Sequence, residues 1–191
     1  TSTSYRWALR AGAARSFVRG DDAQWPDLPW IVTDGSLGKG AQPAADPADV
    51  AILQFTSGST STPKGVRLTH QNLIHQLEYN RVALGGGERA RAVMWVPQYH
   101  DLGLISGILG AMRGLWELHF LSPITFMHDP GCWFDTVHRV RATHIAAPNF
   151  GYELVVRKTD RERRQRWDLS SVEVVMSAAE PIAAGTVDRF Y

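Results

Sequence analysis

Residues 55–65, FTSGSTSTPKG, place six hydroxyl side chains, two glycines and one lysine in eleven consecutive positions, directly after the apolar run AILQF. Phosphate oxygens are held by donors that converge from one side. Glycine admits close backbone N–H groups, Ser and Thr add hydroxyls, and Lys brings a mobile positive charge. The stretch supplies all three. It departs from the nucleoside-triphosphatase pattern G-x-x-x-x-G-K-S/T: counting from Gly58, position 63 is Pro and position 65 is Gly, so the hydroxyl that binds Mg²⁺ after the lysine is missing. A phosphate loop of another type is expected.

The remaining titratable residues narrow the chemistry. His119, His128, His138 and His144 form no H-x-H or H-x-x-x-H pair and Cys132 is the single cysteine, so no transition-metal site is expected. Cys132, in DPGCWF, has no flanking histidine to activate it and is not expected to be a nucleophile. With no second cysteine for an intrachain disulfide, the chain fits a reducing, cytoplasmic compartment. His100 and Asp101 stand together just after AVMWV, where an α/β fold places its ligands.

Elements that must position these residues follow from patterning. Short β-type runs, AILQF (51–55), AVMWV (92–96), LWELHFL (115–121), THIAA (143–147) and VEVVM (172–176), alternate with helical segments. Thr69 is the expected N-cap of a helix with Leu73, Leu77 and Leu84 on one face, stopping near Gly85-Gly86-Gly87. Further helices are expected at 102–112, 130–141, 149–164 and 181–191. The alternation predicts an α/β fold: a mostly parallel sheet with helices on both faces and ligands at the carboxyl ends of the strands. Residues 1–50, with the Gly/Pro/Ala/Asp-rich stretch TDGSLGKGAQPAADPADV, read as an irregular connector and partial lead-in, and 51–191 as an incomplete α/β subdomain.

Twenty basic side chains against nineteen acidic ones leave no global field to attract nucleic acid or anionic lipid. The run RKTDRERRQRWD (157–168) reads as a solvated helix end, with a phosphate or acidic-partner site as the alternative. LGLISGILGAM is too short to cross a bilayer, which takes about 20 residues, and TSTSYRWALRAGAARS lacks the apolar segment of a signal peptide.

Four stretches carry a resemblance: TSGSTSTPKGV followed by LTHQNL, WVPQYHDLGLISGIL, APNFGYELVVRK and DLSSVEVVMSAAEPI. In order and at sensible spacings, they are similar to the signatures of the adenylate-forming enzymes, and most to the fatty acyl-AMP ligases of lipid and polyketide assembly. The resemblance implies the large N-terminal domain of such an enzyme. Its implied activity is ATP-dependent conversion of a fatty acid to acyl-adenylate, with Mg²⁺, for transfer to the phosphopantetheine thiol of an acyl carrier protein. Carried over by position, Thr56, Ser57, Gly58, Ser59, Thr60, Ser61, Lys64 and Gly65 match the triphosphate loop. His100 (also the implied catalytic residue), Asp101, Gly103, Leu104, Asn149, Phe150 and Tyr152 match acyl-site segments. Ala179, Glu180 and Pro181 match the segment against the adenine. Ala178 stands where the family usually has Gly.

The family's later parts, a Y-G-x-x-E segment, a ribose-binding aspartate, a hinge and a catalytic lysine, are not found in these residues, so the chain is expected to be a fragment that does not turn over alone. The insertion that separates acyl-AMP from acyl-CoA ligases lies past the A-E-P segment, so that distinction rests on Ser61, HDLGL and PNFGYEL. A long-chain acyl-CoA ligase and a non-catalytic nucleotide- or acyl-binding module are the alternatives.

Overall fold

A computed structural model describes residues 8–10, 30–32, 45–55, 64–114 and 116–190. It divides into two units, Thr1–Ala45 and Asp46–Tyr191. In the first unit β1 (Ala8–Arg10) and β2 (Trp30–Val32) pair in parallel, Leu9 opposite Ile31. Patterning gave no strand here, because three-residue runs are too short to show a period.

The second unit opens with a hairpin. β3 (Val50–Phe55) pairs antiparallel with β4 (Gly65–Thr69), Phe55 opposite Gly65. Here the structure corrects the sequence reading. The hydroxyl-rich stretch does not lead straight from a parallel strand into a helix; it joins two antiparallel strands, and GVRLT forms the unforeseen second one. Thr69 ends β4 and also caps α1 (His70–Ala83). Its hydroxyl accepts from the Asn72 N–H (3.2 Å) while Asn72 Oδ1 accepts from the Thr69 N–H (3.1 Å), a reciprocal box that satisfies two helix-end donors. α1 ends at Leu84, before Gly85 with φ 70°.

The main sheet has four parallel strands in the order β6-β5-β7-β8: β5 (Arg91–Met94), β6 (Glu117–Phe120), β7 (His144–Ala147) and β8 (Val174–Ser177). Between β5 and β6 runs a π-helix (Leu102–Leu109) continued by α2 (Gly110–Gly114). α3 (Pro123–His128) and α4 (Gly131–Val140) connect β6 to β7. α5 (Asn149–Lys158) and α6 (Arg161–Gln165) lead to β8, and α7 (Ala184–Phe190) follows it.

Alternation along the strands sorts the core into two layers. Val93, Ile145, Ala147 and Val175 pack with Phe126, Trp133, Phe134, Val137, Tyr152 and Val155 of α3, α4 and α5. Met94, Ala146 and Met176 face the other way, toward Leu102 of the π-helix. Trp133 is fully buried and its indole N–H donates to the Val93 carbonyl at 3.1 Å, whereas the N–H of Trp95, buried in the same layer, has no acceptor among the described residues. The expected helix over 149–164 is two helices: the chain turns at Thr159, and the Asp160 carboxylate caps α6 by accepting from the Arg163 N–H at 2.7 Å. Arg163 in turn clasps α4, bidentate to Asp129 (2.6 and 2.8 Å) and bonded to Asp135 (2.5 Å).

Strand order fixes where a ligand can sit. From β5 the chain moves one way to β6, then crosses back to the far side of β5 to make β7. The connections diverge between β5 and β7 and open a crevice at the carboxyl ends of those strands.

Candidate functional site

Three segments meet at that crevice. After β5, Trp95 and Val96 stay buried and the chain emerges at Pro97 to present His100 and Asp101. His100 Nδ1 lies 2.6 Å from Asp101 Oδ1, which also accepts from the Leu102 N–H at 2.7 Å and so caps the π-helix. The Leu102 N–H also reaches His100 Nδ1, at 3.2 Å, so the half-exposed imidazole is held at the start of the π-helix by both the Asp101 carboxylate and the backbone. Gly103 is buried against the Val96 and Pro97 carbonyls; a Cβ there would stand 2.3 Å from the Pro97 oxygen, so only glycine lets the π-helix start this close to the strand end.

After β7, Pro148 starts α5 without a side-chain cap of its own. The cap comes from the third segment: Glu180, after β8, accepts from the Phe150 N–H at 2.6 Å. Phe150 is 42% exposed and meets Trp95 edge-on, ring centroids 5.6 Å apart, and Trp95 stacks flat on Phe126 at 3.7 Å. Asn149 ties the same corner to the chain before α7, accepting from the Ala183 N–H at 3.1 Å. Ala179 has φ 69°, left-handed for a residue with a side chain.

A groove of about 910 Å³ runs beside these segments, walled by α1, the start of the π-helix and Ala178–Ala179. Of the residues singled out from sequence, Leu73, Asp101, Ala178 and Ala179 line it. Asn149 and Tyr152 border a second hollow, about 410 Å³, beside β8 and α7. Tyr152 is buried, against Trp133 and Phe190, with its hydroxyl donating to the Met176 carbonyl at 2.7 Å. Leu104 is half-buried within the π-helix, and Pro181 is exposed beside Glu180. Ala178, where the resemblance expects glycine, packs against the cluster of Met94, Val96 and Leu102, and its N–H donates to Ala147. Thr56, Ser57, Gly58, Ser59, Thr60 and Ser61 lie outside the described residues. Lys64 is exposed at the foot of β4, followed by Gly65 facing the Phe55 ring. From Gly65 to the groove-lining Leu68 is three residues of strand, about 10 Å.

Sequence reasoning missed the polar wall of the groove. Asn72, Gln76 and Asn80 all line it, spaced i, i+4, i+8 on one side of α1, with Gln76 donating to Asn80 at 2.8 Å. That spacing was available to read. Burial, then the nearby Asp129 carboxylate, pushes the Cys132 thiol pKa up, away from thiolate.

Comparison with known proteins follows the same outline. The chain is 40% identical over 172 residues to the medium-chain-fatty-acid–acyl-carrier-protein ligase JamA of Moorena producens, a match over 88% of this chain and 29% of that one. It is 36% identical to the long-chain-fatty-acid–AMP ligase FadD32 of Mycobacterium marinum, over 78% of this chain and 24% of that protein. Among solved structures it superposes on the fatty acyl-adenylate ligase of Legionella pneumophila in complex with acyl adenylate and pyrophosphate, with TM-score 0.80, 31% identity, 86% of this chain and 30% of that one. The chain thus spans less than a third of the length of each of these relatives. The model of the AMP-binding enzyme family matches residues 7–191, and the chain belongs to that family.

Proposed function

We propose that this chain is part of a fatty acyl-AMP ligase, which activates a fatty acid with ATP and passes the acyl group to an acyl carrier protein. The observation that supports the reading is that Asp101 and Ala179 line one groove, with Glu180 fastened to the first turn of α5 beside it, in a chain 40% and 36% identical to ligases of this kind. Two anions, a carboxylate and the α-phosphate, must be held in line against their repulsion, so positioning and fixed positive charge dominate the chemistry. Residues 56–61, Lys64 and Gly65 hold the β- and γ-phosphates and receive the leaving pyrophosphate. His100, oriented by Asp101, faces the reacting carboxylate. Ala179–Pro181 lie against the adenine, with Glu180 held by α5.

Mg²⁺ accompanies the triphosphate. Such a cation keeps several of its waters and binds through one or two carboxylates together with the phosphates. The test is the product: given ATP, a fatty acid and either a phosphopantetheinylated carrier protein or coenzyme A, the full-length protein makes the carrier thioester. Thioester formed on coenzyme A alone assigns the acyl-CoA ligase reading instead.

A further inference from the structure

Below the groove, the sheet face under the π-helix holds a small cavity of about 40 Å³. Its floor is Ala92, Met94, Ala146 and Met176, side chains that alternate onto the same face of three neighbouring strands, and Ser106 of the π-helix borders both this cavity and the groove. The groove opens beside Asp101 and Ala179, at the carboxyl ends of the strands, whereas the cavity reaches Ala92, His144 and Val174, at their amino ends. A four-residue strand is about 13 Å long, so the cavity marks the far end of that path along the sheet, and its 40 Å³ gives an apolar chain passing Ser106 room for about one methylene-sized group there.

Trp116 closes the far end. Its indole is clasped by three glycines from two directions: a Cβ on Gly86 would stand 2.3 Å from the ring, on Gly114 2.3 Å and on Gly110 3.0 Å. The buried ring N–H has no acceptor among the described residues, so shape alone places the ring. Large and aromatic, held in a slot that excludes side chains from its three neighbours, Trp116 is the fixed part of a lining that is mostly apolar, with Ser106 and His144 its polar members.

We propose that Trp116 is the chain-length stop of the acyl site, limiting the acid to medium length. This rests on the fatty acyl reading above and adds to it the residue that sets which acids fit. Discrimination in an apolar pocket amounts to roughly 10- to 200-fold per methylene-sized change, so removing an indole changes the profile measurably.

The test is acid-dependent exchange of pyrophosphate into ATP by the full-length protein with octanoate, dodecanoate and hexadecanoate. The unsubstituted protein prefers the shorter acids, and Trp116→Ala raises kcat/KM for hexadecanoate relative to octanoate at least about tenfold. Should that variant not fold, Ser106→Leu, which narrows the passage instead of opening its end, lowers dodecanoate relative to octanoate by a similar factor. Exchange that proceeds with an unaltered length profile in the folded variants overturns the stop and leaves the ligase reading intact. Absence of exchange with every acid in the unsubstituted protein overturns both.

Discussion

The carboxylate of Glu180 accepts a 2.6 Å hydrogen bond from the backbone N–H of Phe150, thirty residues earlier in the chain. This one contact fastens the segment after β8 to the first turn of α5, whose own N-cap, Pro148, offers no side-chain acceptor. A carboxylate at a helix N-terminus satisfies an orphan N–H and interacts favourably with the helix dipole.

Replacing Glu180 with Ala therefore removes a cap supplied from outside the helix. The expected cost is about 1 kcal/mol, and Glu180→Gln, which keeps a neutral acceptor, loses less than half of that. Urea midpoints of the two variants measure it; equal midpoints would show that the contact contributes nothing.

Ala179, next in line, holds φ at 69°, where a side chain costs about 1–2 kcal/mol. Ala179→Gly relieves that cost and gives back about 0.4–1 kcal/mol through the freer unfolded chain, for a net gain between about 0 and 1.6 kcal/mol. Ala179→Val destabilises, because a branched side chain tolerates this conformation less well. Thermal melting of the pair reads both signs.

Arg163 sets an acid limit on stability. Its hydrogen bonds hold Asp129 below the ordinary carboxylate pKa against partial burial; at Asp135 burial pushes the pKa upward, but Arg163 and the Trp167 indole outweigh it and the net direction is also down. Asp168 lies lower still, at about 2, through the Ser170 hydroxyl and amide and then Arg141. Groups with depressed folded pKa values stabilise fully above the unfolded value, about 4, and lose that contribution as pH falls through the folded one. Arg163→Met is accordingly less stable by about 1–3 kcal/mol near neutrality, and the difference from the unsubstituted protein shrinks as pH drops below about 4. Urea titrations at a series of pH values check this, and a pH-independent difference would count against the ion pairs.

His100 is half-exposed and packs into neither core layer. His100→Ala should lower acid-dependent pyrophosphate exchange by about a hundredfold while shifting stability by less than about 0.5 kcal/mol. Asp101→Asn, which loosens the ring's orientation, falls between. Full exchange in His100→Ala would remove it from the reacting carboxylate.

Much of the sheet was legible because strands covered on both faces read as largely apolar runs: AVMWV overlaps β5 from Ala92 to Met94, THIAA contains β7, and VEVVM starts two residues before β8 and ends one residue before its end. α1 was readable from Thr69 to the glycines, since cap and stop are local chemistry. β4 was not, because GVRLT becomes a strand only through pairing with β3 across nine intervening residues. The break between α5 and α6 turns on Asp160, whose capping role competes with its place in a continuous charged run. LGLISGIL, apolar on every side, carries no period that separates a π-helix from an α-helix. At the site, the motifs gave residues but not contacts. No spacing announces that Glu180 reaches Phe150, or that Tyr152 turns into the core while its neighbour Phe150 stays exposed.

The most direct measurement of the central claim is exchange of labelled pyrophosphate into ATP by the full-length protein, with and without fatty acid, before and after Lys64→Ala. The account predicts exchange that requires the acid and falls about a hundredfold or more when the lysine is removed. Exchange that needs no acid, or that survives Lys64→Ala undiminished, would contradict it.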